Sequence, residues 1–162
     1  MIPRLSTLLT LWLAMASAAF AGGVPVTDLA GRAGKFADYI KPGRWTVVMM
    51  WTTYCGVCRK QYPIVSAFHD AHRERDAEVL GISLDGPDAL AEVRAYVAQK
   101  PFSFPTIVAE PLVMARMFEE ATSTPFTGTP TYLVFNPKRQ LVALKSGEVG
   151  PDTLDNYLKK KP

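Results

Sequence analysis

The chain of 162 residues carries 18 Lys and Arg against 15 Asp and Glu, with 48% apolar and 20% charged residues. That balance describes one ordinary folded domain and excludes a disordered chain, because apolar residues recur throughout instead of giving way to a charged tract. Acids and bases are interspersed, and the only basic run is Lys159-Lys160-Lys161 at the end. This argues against a nucleic-acid binder, and the run reads as a solvated tail.

The first segment has the pattern of an export signal. Arg4 is its only charge, an apolar core follows through Leu8, Leu9, Leu11, Trp12, Leu13 and Met15, and Ala19-Phe20-Ala21 forms a small-x-small cleavage pattern. Residues 1–21 are expected to be a signal peptide and 22–162 the working domain, with a rival cleavage point after Ala16-Ser17-Ala18. The alternative is an uncleaved membrane anchor, since no charge occurs between Leu5 and Thr27. Both readings place the body of the protein outside the cytoplasm, in a periplasm or its equivalent.

From Val24 to Leu29 a short alternating segment predicts an entry strand, with Ala30-Gly31-Arg32 as a turn and Phe36, Tyr39 and Ile40 as an amphipathic patch. Trp45 to Trp51 is nearly continuous apolar sequence rich in β-formers, so it predicts a central strand buried on both faces. Gly56 to Arg75 has helical spacing through Val57, Tyr62, Val65, Phe68 and His72, with Pro63 inside it as a kink. Glu78 to Leu84 reads as a second buried strand, parallel to the first through a right-handed βαβ crossover.

Asp88 to Gln99 is a helix opened by Gly86-Pro87 and ended by Pro101. Thr106 to Val108 is a short strand, Leu112 to Ala121 a helix carrying Met114, Met117 and Phe118, and 122–129 a loop. Thr131 to Phe135 and Leu141 to Lys145 flank Asn136-Pro137-Lys138-Arg139, an antiparallel hairpin, and Asp152 to Lys160 closes the chain as a helix with Leu154, Tyr157 and Leu158 on one face. With no linker and no internal repeat, this is one α/β domain.

Cys55 and Cys58 are the only cysteines. In an exported chain an even count suggests a structural staple, but closing so short a loop contributes only about 2 kcal/mol, against about 3 for fifteen residues. A domain of about 140 residues buries enough apolar surface without one. The pair is therefore read as redox chemistry. Cys55-Gly56-Val57-Cys58 follows the central strand and opens a helix, where unpaired N–H groups and the macrodipole favour a thiolate. Cys55 is expected to attack; Cys58, three residues on and on the same helical face, is expected to resolve the mixed disulfide.

Competing uses are weaker. Covalent haem attachment needs His after the second cysteine, where Arg59 stands. Zinc needs two more ligands, and His69 and His72 lie about 17 and 21 Å along the helix from Cys58. These histidines share a face and are expected to be one core-facing and one solvated. Cu(I) on the two thiolates stays open, without a third ligand beside them. No cofactor or metal is expected.

The stretch from Trp51 to Pro63 resembles the active-site segment of the thioredoxin superfamily, and more specifically of its exported TlpA/ResA-like branch of thiol-disulfide oxidoreductases. Leu29-Ala30-Gly31, Gly81-Ile82-Ser83-Leu84-Asp85 and Gly128-Thr129-Pro130-Thr131 are similar too. The resemblance implies a thioredoxin-like α/β fold, a mixed central sheet flanked by helices, with an extra helix-strand insertion around Ala89 to Val108. It implies that Pro130 is a cis-proline facing the cysteines, with Thr129 before it and Tyr54 beside Cys55 as substrate-binding residues. It implies protein thiol or disulfide substrates, reduction as in cytochrome c or copper-protein maturation, and a membrane electron-transfer partner.

The sequence also departs from that pattern. Met49 stands where thioredoxins have a buried Asp, Gln61 where ResA-like proteins have Glu, and Tyr54 where the branch commonly has Trp. No side-chain base for Cys58 is therefore assigned, and slow activation of that thiol is expected. A disulfide donor or isomerase, or a copper- or partner-binding module without enzymatic activity, are the alternative readings. Phe126 is either part of an apolar partner groove or packed under its loop.

Overall fold

The computed structural model describes residues 23–100 and 102–160. The signal segment with its cleavage points, and Pro101, lie outside the described residues. Seven strands form one sheet: β1 (Pro25–Asp28), β2 (Ala33–Lys35), β3 (Trp45–Trp51), β4 (Ala77–Ser83), β5 (Thr106–Ala109), β6 (Thr131–Phe135) and β7 (Leu141–Ser146), in the spatial order β2-β1-β5-β4-β3-β6-β7. Four α-helices accompany them: α1 (Gly56–His72), α2 (Leu90–Gln99), α3 (Pro111–Thr122) and α4 (Thr153–Lys159). Among the described residues no helix is long and apolar enough to cross a membrane.

The run from Trp45 to Trp51 becomes β3, and all of it except half-buried Trp45 is buried. Burial of each such Val or Met contributes roughly 1.5–3 kcal/mol, so this strand anchors the sheet. β3 pairs in parallel with β4, from Trp45 opposite Ala77 to Trp51 opposite Ser83, and antiparallel with β6. β5 continues the parallel set beside β4, so the C-terminal ends of β3, β4 and β5 share one edge of the sheet. The sheet is mixed, as expected.

Two cores lie on its two faces. Val48, Met50, Leu80 and Ile82 pack with Met114, Met117 and Phe118 of α3, whereas Val47, Met49 and Trp51 pack with residues of α1, α2 and α4. Alternation along the strands thus sorts the helices, three against one. Phe126 packs half-buried against Phe118, with ring centroids 5.5 Å apart, so it lies under its loop.

Some elements differ from expectation. An unexpected second strand, β2, lies between the Ala30-Gly31-Arg32 turn and the Phe36 patch, and the patch itself is a 3-10 turn at Phe36–Tyr39; β1 and β2 form a hairpin that docks on β5. Three residues, Ala-Gly-Lys, carry too little periodicity to announce a strand. The start of the second crossover helix splits into a 3-10 turn, Pro87–Ala89, and α2. Val57 is 41% exposed and so lies off the core face of α1.

Gly81 in β4 is required by close packing. A Cβ there would sit 2.8 Å from Thr106 Oγ1, 3.0 Å from Phe104 Cε2 and 3.1 Å from Trp51 Nε1.

Candidate active site

β3 ends in the turn that delivers Cys55 as the N-cap of α1. The Cys55 sulfur accepts the backbone N–H of Cys58 at 3.1 Å, which satisfies one of the donors that a helix start leaves open. The two cysteines form a disulfide, with their Cα atoms 5.3 Å apart. Cys55 is 9% exposed and Cys58 0%. Of the two, only Cys55 keeps any exposure.

The turn is tied down from the next strand. Asp85, just past β4, accepts the Thr53 N–H at 3.1 Å, the Thr53 hydroxyl at 2.7 Å and the Ser83 hydroxyl. Sequence reasoning did not give Asp85 this task. Its signal is Ser-x-Asp at the end of a buried strand, where polar side chains need local partners.

The loop before β6 completes the site. The Thr129-Pro130 peptide is cis, Pro130 is buried, and the Thr129 carbonyl oxygen lies 3.6 Å from Cys55 Sγ. β6 places it there by pairing with β3 antiparallel, so that its start lies beside the end of β3: Thr131 stands opposite Met50. Tyr54 is 80% exposed next to Cys55.

Gln61, three residues after Cys58 on α1, is a neutral side chain. Gln61 is 3% exposed, and its side-chain oxygen accepts the Tyr132 hydroxyl at 3.0 Å and the Val149 N–H at 2.8 Å. Tyr132 is the cross-strand partner of Met49. Burial, and then the Glu148 carboxylate, push the Tyr132 phenol up, so it is a hydrogen-bond donor at any ordinary pH. Burial, and then the neighbouring Tyr96, do the same to Tyr62.

The histidines lie at the far end of α1, and both are buried, against the expectation of one solvated ring. His69 Nδ1 accepts the Val79 N–H at 3.0 Å; His72 lies between Asp76 and Asp155, at 2.7 and 3.0 Å, and so joins the end of α1 to α4. The second ring is buried because α4 covers it, which spacing within one helix does not report. Among the described residues no cluster of three or more His, Cys, Asp or Glu side chains is arranged to hold a metal ion.

The model of the AhpC/TSA family matches residues 20–144. The chain belongs to that family. Within it, the chain is 23% identical over 135 residues to the thiol-disulfide oxidoreductase ResA of Bacillus thuringiensis subsp. konkukian, covering 83% of this chain and 72% of that one. The sporulation thiol-disulfide oxidoreductase A of Bacillus subtilis is 21% identical over 116 residues, with 71% and 67% covered. The thioredoxin domain of a thiol-disulfide oxidoreductase from Bacteroides vulgatus superposes with a TM-score of 0.67 at 19% identity, over 91% of this chain and 98% of that one, which shows the thioredoxin-like fold. An AhpC/TSA-family chain of this fold, with a C-x-x-C disulfide opening α1, is a thiol-disulfide oxidoreductase.

Proposed function

We propose that the protein works outside the cytoplasm as a reductant of protein disulfides. Cys55 attacks, Cys58 resolves, and the Thr129-Pro130 loop, bordered by Tyr54, holds the partner chain. The observation that carries the direction is the pair of groups at Cys55 Sγ: one N–H donor at 3.1 Å, from Cys58, faced by the Thr129 carbonyl at 3.6 Å. A strong oxidant owes its potential to a well-stabilised reduced thiolate. Here the Thr129 carbonyl, with its negative end toward the sulfur, offsets part of the stabilisation that the Cys58 N–H and the helix start give a thiolate, which supports a reducing dithiol over a strong disulfide donor.

The reaction then runs in two displacements. The Cys55 thiolate bonds to one sulfur of the partner disulfide, whose second sulfur leaves as a thiolate. The Cys58 thiol, fully buried, gives its proton to that leaving thiolate or to water and attacks Cys55 Sγ, and the first partner sulfur leaves. Two electrons pass to the partner, the Cys55–Cys58 disulfide forms, and a membrane electron-transfer partner carrying a dithiol restores the reduced state. The Thr129 carbonyl lies where an extended partner segment can pair with it. Support for export comes from residues 1–21, and for cytochrome c or copper-protein thiols as targets from the resemblance to the ResA-like branch.

Equilibration of the pair against glutathione and dithiothreitol buffers tests the direction. A potential near or below about −250 mV fits a reductant, and one above about −150 mV makes the protein a disulfide donor. Cys58→Ser should trap mixed disulfides through Cys55. A binding module without enzymatic activity would trap none.

A further inference from the structure

One turn beyond the disulfide the surface opens into a cavity of about 320 Å³ lined by Arg59, Tyr62, Pro63, Lys100 and Phe102. Its floor is aromatic: Tyr62 and Phe102 meet at 4.1 Å between ring centroids, and Trp51 lies behind them at 5.8 and 5.2 Å. Its rim is cationic. Arg59 and Lys100 are exposed, and neither is paired with a carboxylate among the described residues. Lys60 adds a third exposed charge to the same turn. The Asp85 carboxylate acts on Tyr62, and it is committed to Thr53 and Ser83.

We propose that this cavity is a specificity pocket for the partner polypeptide, taking an acidic residue together with an adjacent apolar or aromatic one, close in sequence to the partner's reactive cysteine. The proposal rests on the oxidoreductase reading above and adds to it which disulfides are preferred. Charge complementarity selects the occupant: two unpaired cations over an aromatic floor attract a carboxylate whose neighbour buries apolar surface. Distance fits as well. Arg59 is four residues after Cys55 in the start of α1, about 6 Å along the axis, which an extended partner chain spans in about two residues.

The experiment uses three disulfide-containing peptides that differ only at positions two and three from the reactive cysteine, carrying Glu-Phe, Gln-Phe or Lys-Phe. The reduced full domain is mixed with each, and the second-order rate constant of the single turnover is measured by stopped flow. We expect the Glu-Phe peptide to be reduced about tenfold faster than the Lys-Phe peptide at low ionic strength, with the ratio falling toward one near 0.5 M salt. In Arg59→Glu/Lys100→Glu the ratio should invert, and in the singly substituted Lys100→Glu, at an exposed side chain, it should fall by several-fold. Taking the ratio within each variant cancels any change in the thiolate itself.

A ratio near one in the wild type, or one that the double variant leaves unchanged, overturns the pocket. Failure of the wild type to reduce the Gln-Phe peptide at all would instead bring down the proposed reductant role, so the two failures are separable.

Discussion

The side-chain oxygen of Gln61 accepts the Tyr132 hydroxyl at 3.0 Å, and the same oxygen takes the Val149 N–H at 2.8 Å. A neutral acceptor thus joins α1, β6 and the segment before α4 at the position where the ResA-like pattern carries an acid. Two converging donors are ready for a carboxylate, so Gln61→Glu should fold and keep both hydrogen bonds. We expect the resolving step, followed by stopped flow on a preformed mixed disulfide, to speed up about tenfold or more as Cys58 gains a base. An unchanged rate would show that proton removal from Cys58 does not limit the step. Gln61→Leu should instead destabilise by about 1–3 kcal/mol in urea titration, because it leaves two buried donors unpaired.

Asp85 acts on Cys55 through Thr53. Its oxygens hold both the N–H and the hydroxyl of Thr53, two residues before Cys55, the proposed nucleophile. Asp85→Ala should loosen the turn and slow attack on a neutral small-molecule disulfide by about tenfold, while Asp85→Asn, which still accepts from Thr53, should recover most of the rate. Equal losses in both variants would point to the negative charge of Asp85 and away from its hydrogen bonds.

His69 ties stability to pH. Burial pulls its ring below the usual histidine range, and Nδ1 accepts the Val79 N–H, so the folded chain prefers the neutral form. The unfolded chain takes up a proton near pH 6.5 and the folded one resists it. This contribution is therefore fully present above about pH 6.5 and is lost as pH falls below it, with a slope of at most about 1.4 kcal/mol per pH unit. Asp70, Arg73, Glu78 and Arg44 face the ring and modulate the slope. His69→Asn, which keeps an acceptor for Val79, should flatten the urea midpoint between about pH 7 and 5. Asp76, held below the ordinary carboxylate range chiefly by its hydrogen bond with His72, should act only below about pH 4.

Gly81→Ala should cost about 1–3 kcal/mol through overpacking, since the added carbon meets Thr106, Phe104 and Trp51 at 2.8–3.1 Å. Combining it with Thr106→Ser keeps the nearby hydroxyl and should recover little. Phe104→Leu, which opens the aromatic wall, should recover more. Thermal unfolding of the set measures this.

The chain by itself determined the two long strands, the helix that starts at Gly56, the hairpin around Asn136 and the place of Cys55-Gly56-Val57-Cys58 at a strand-to-helix junction, because burial on a helix or strand leaves a period in the sequence and such a junction is a local event. Resemblance, and not periodicity, placed Pro130 against Cys55. Only the tertiary structure decided the groups that come from other elements: the Thr129 carbonyl on Cys55, Asp85 on Thr53, Tyr132 on Gln61, α4 over His72, and Phe102 in the floor of the cavity beside Arg59. These depend on which strands are neighbours in the sheet and in what register. A period of two or 3.6 residues reports which face a side chain occupies, and it carries no information on what stands opposite that face.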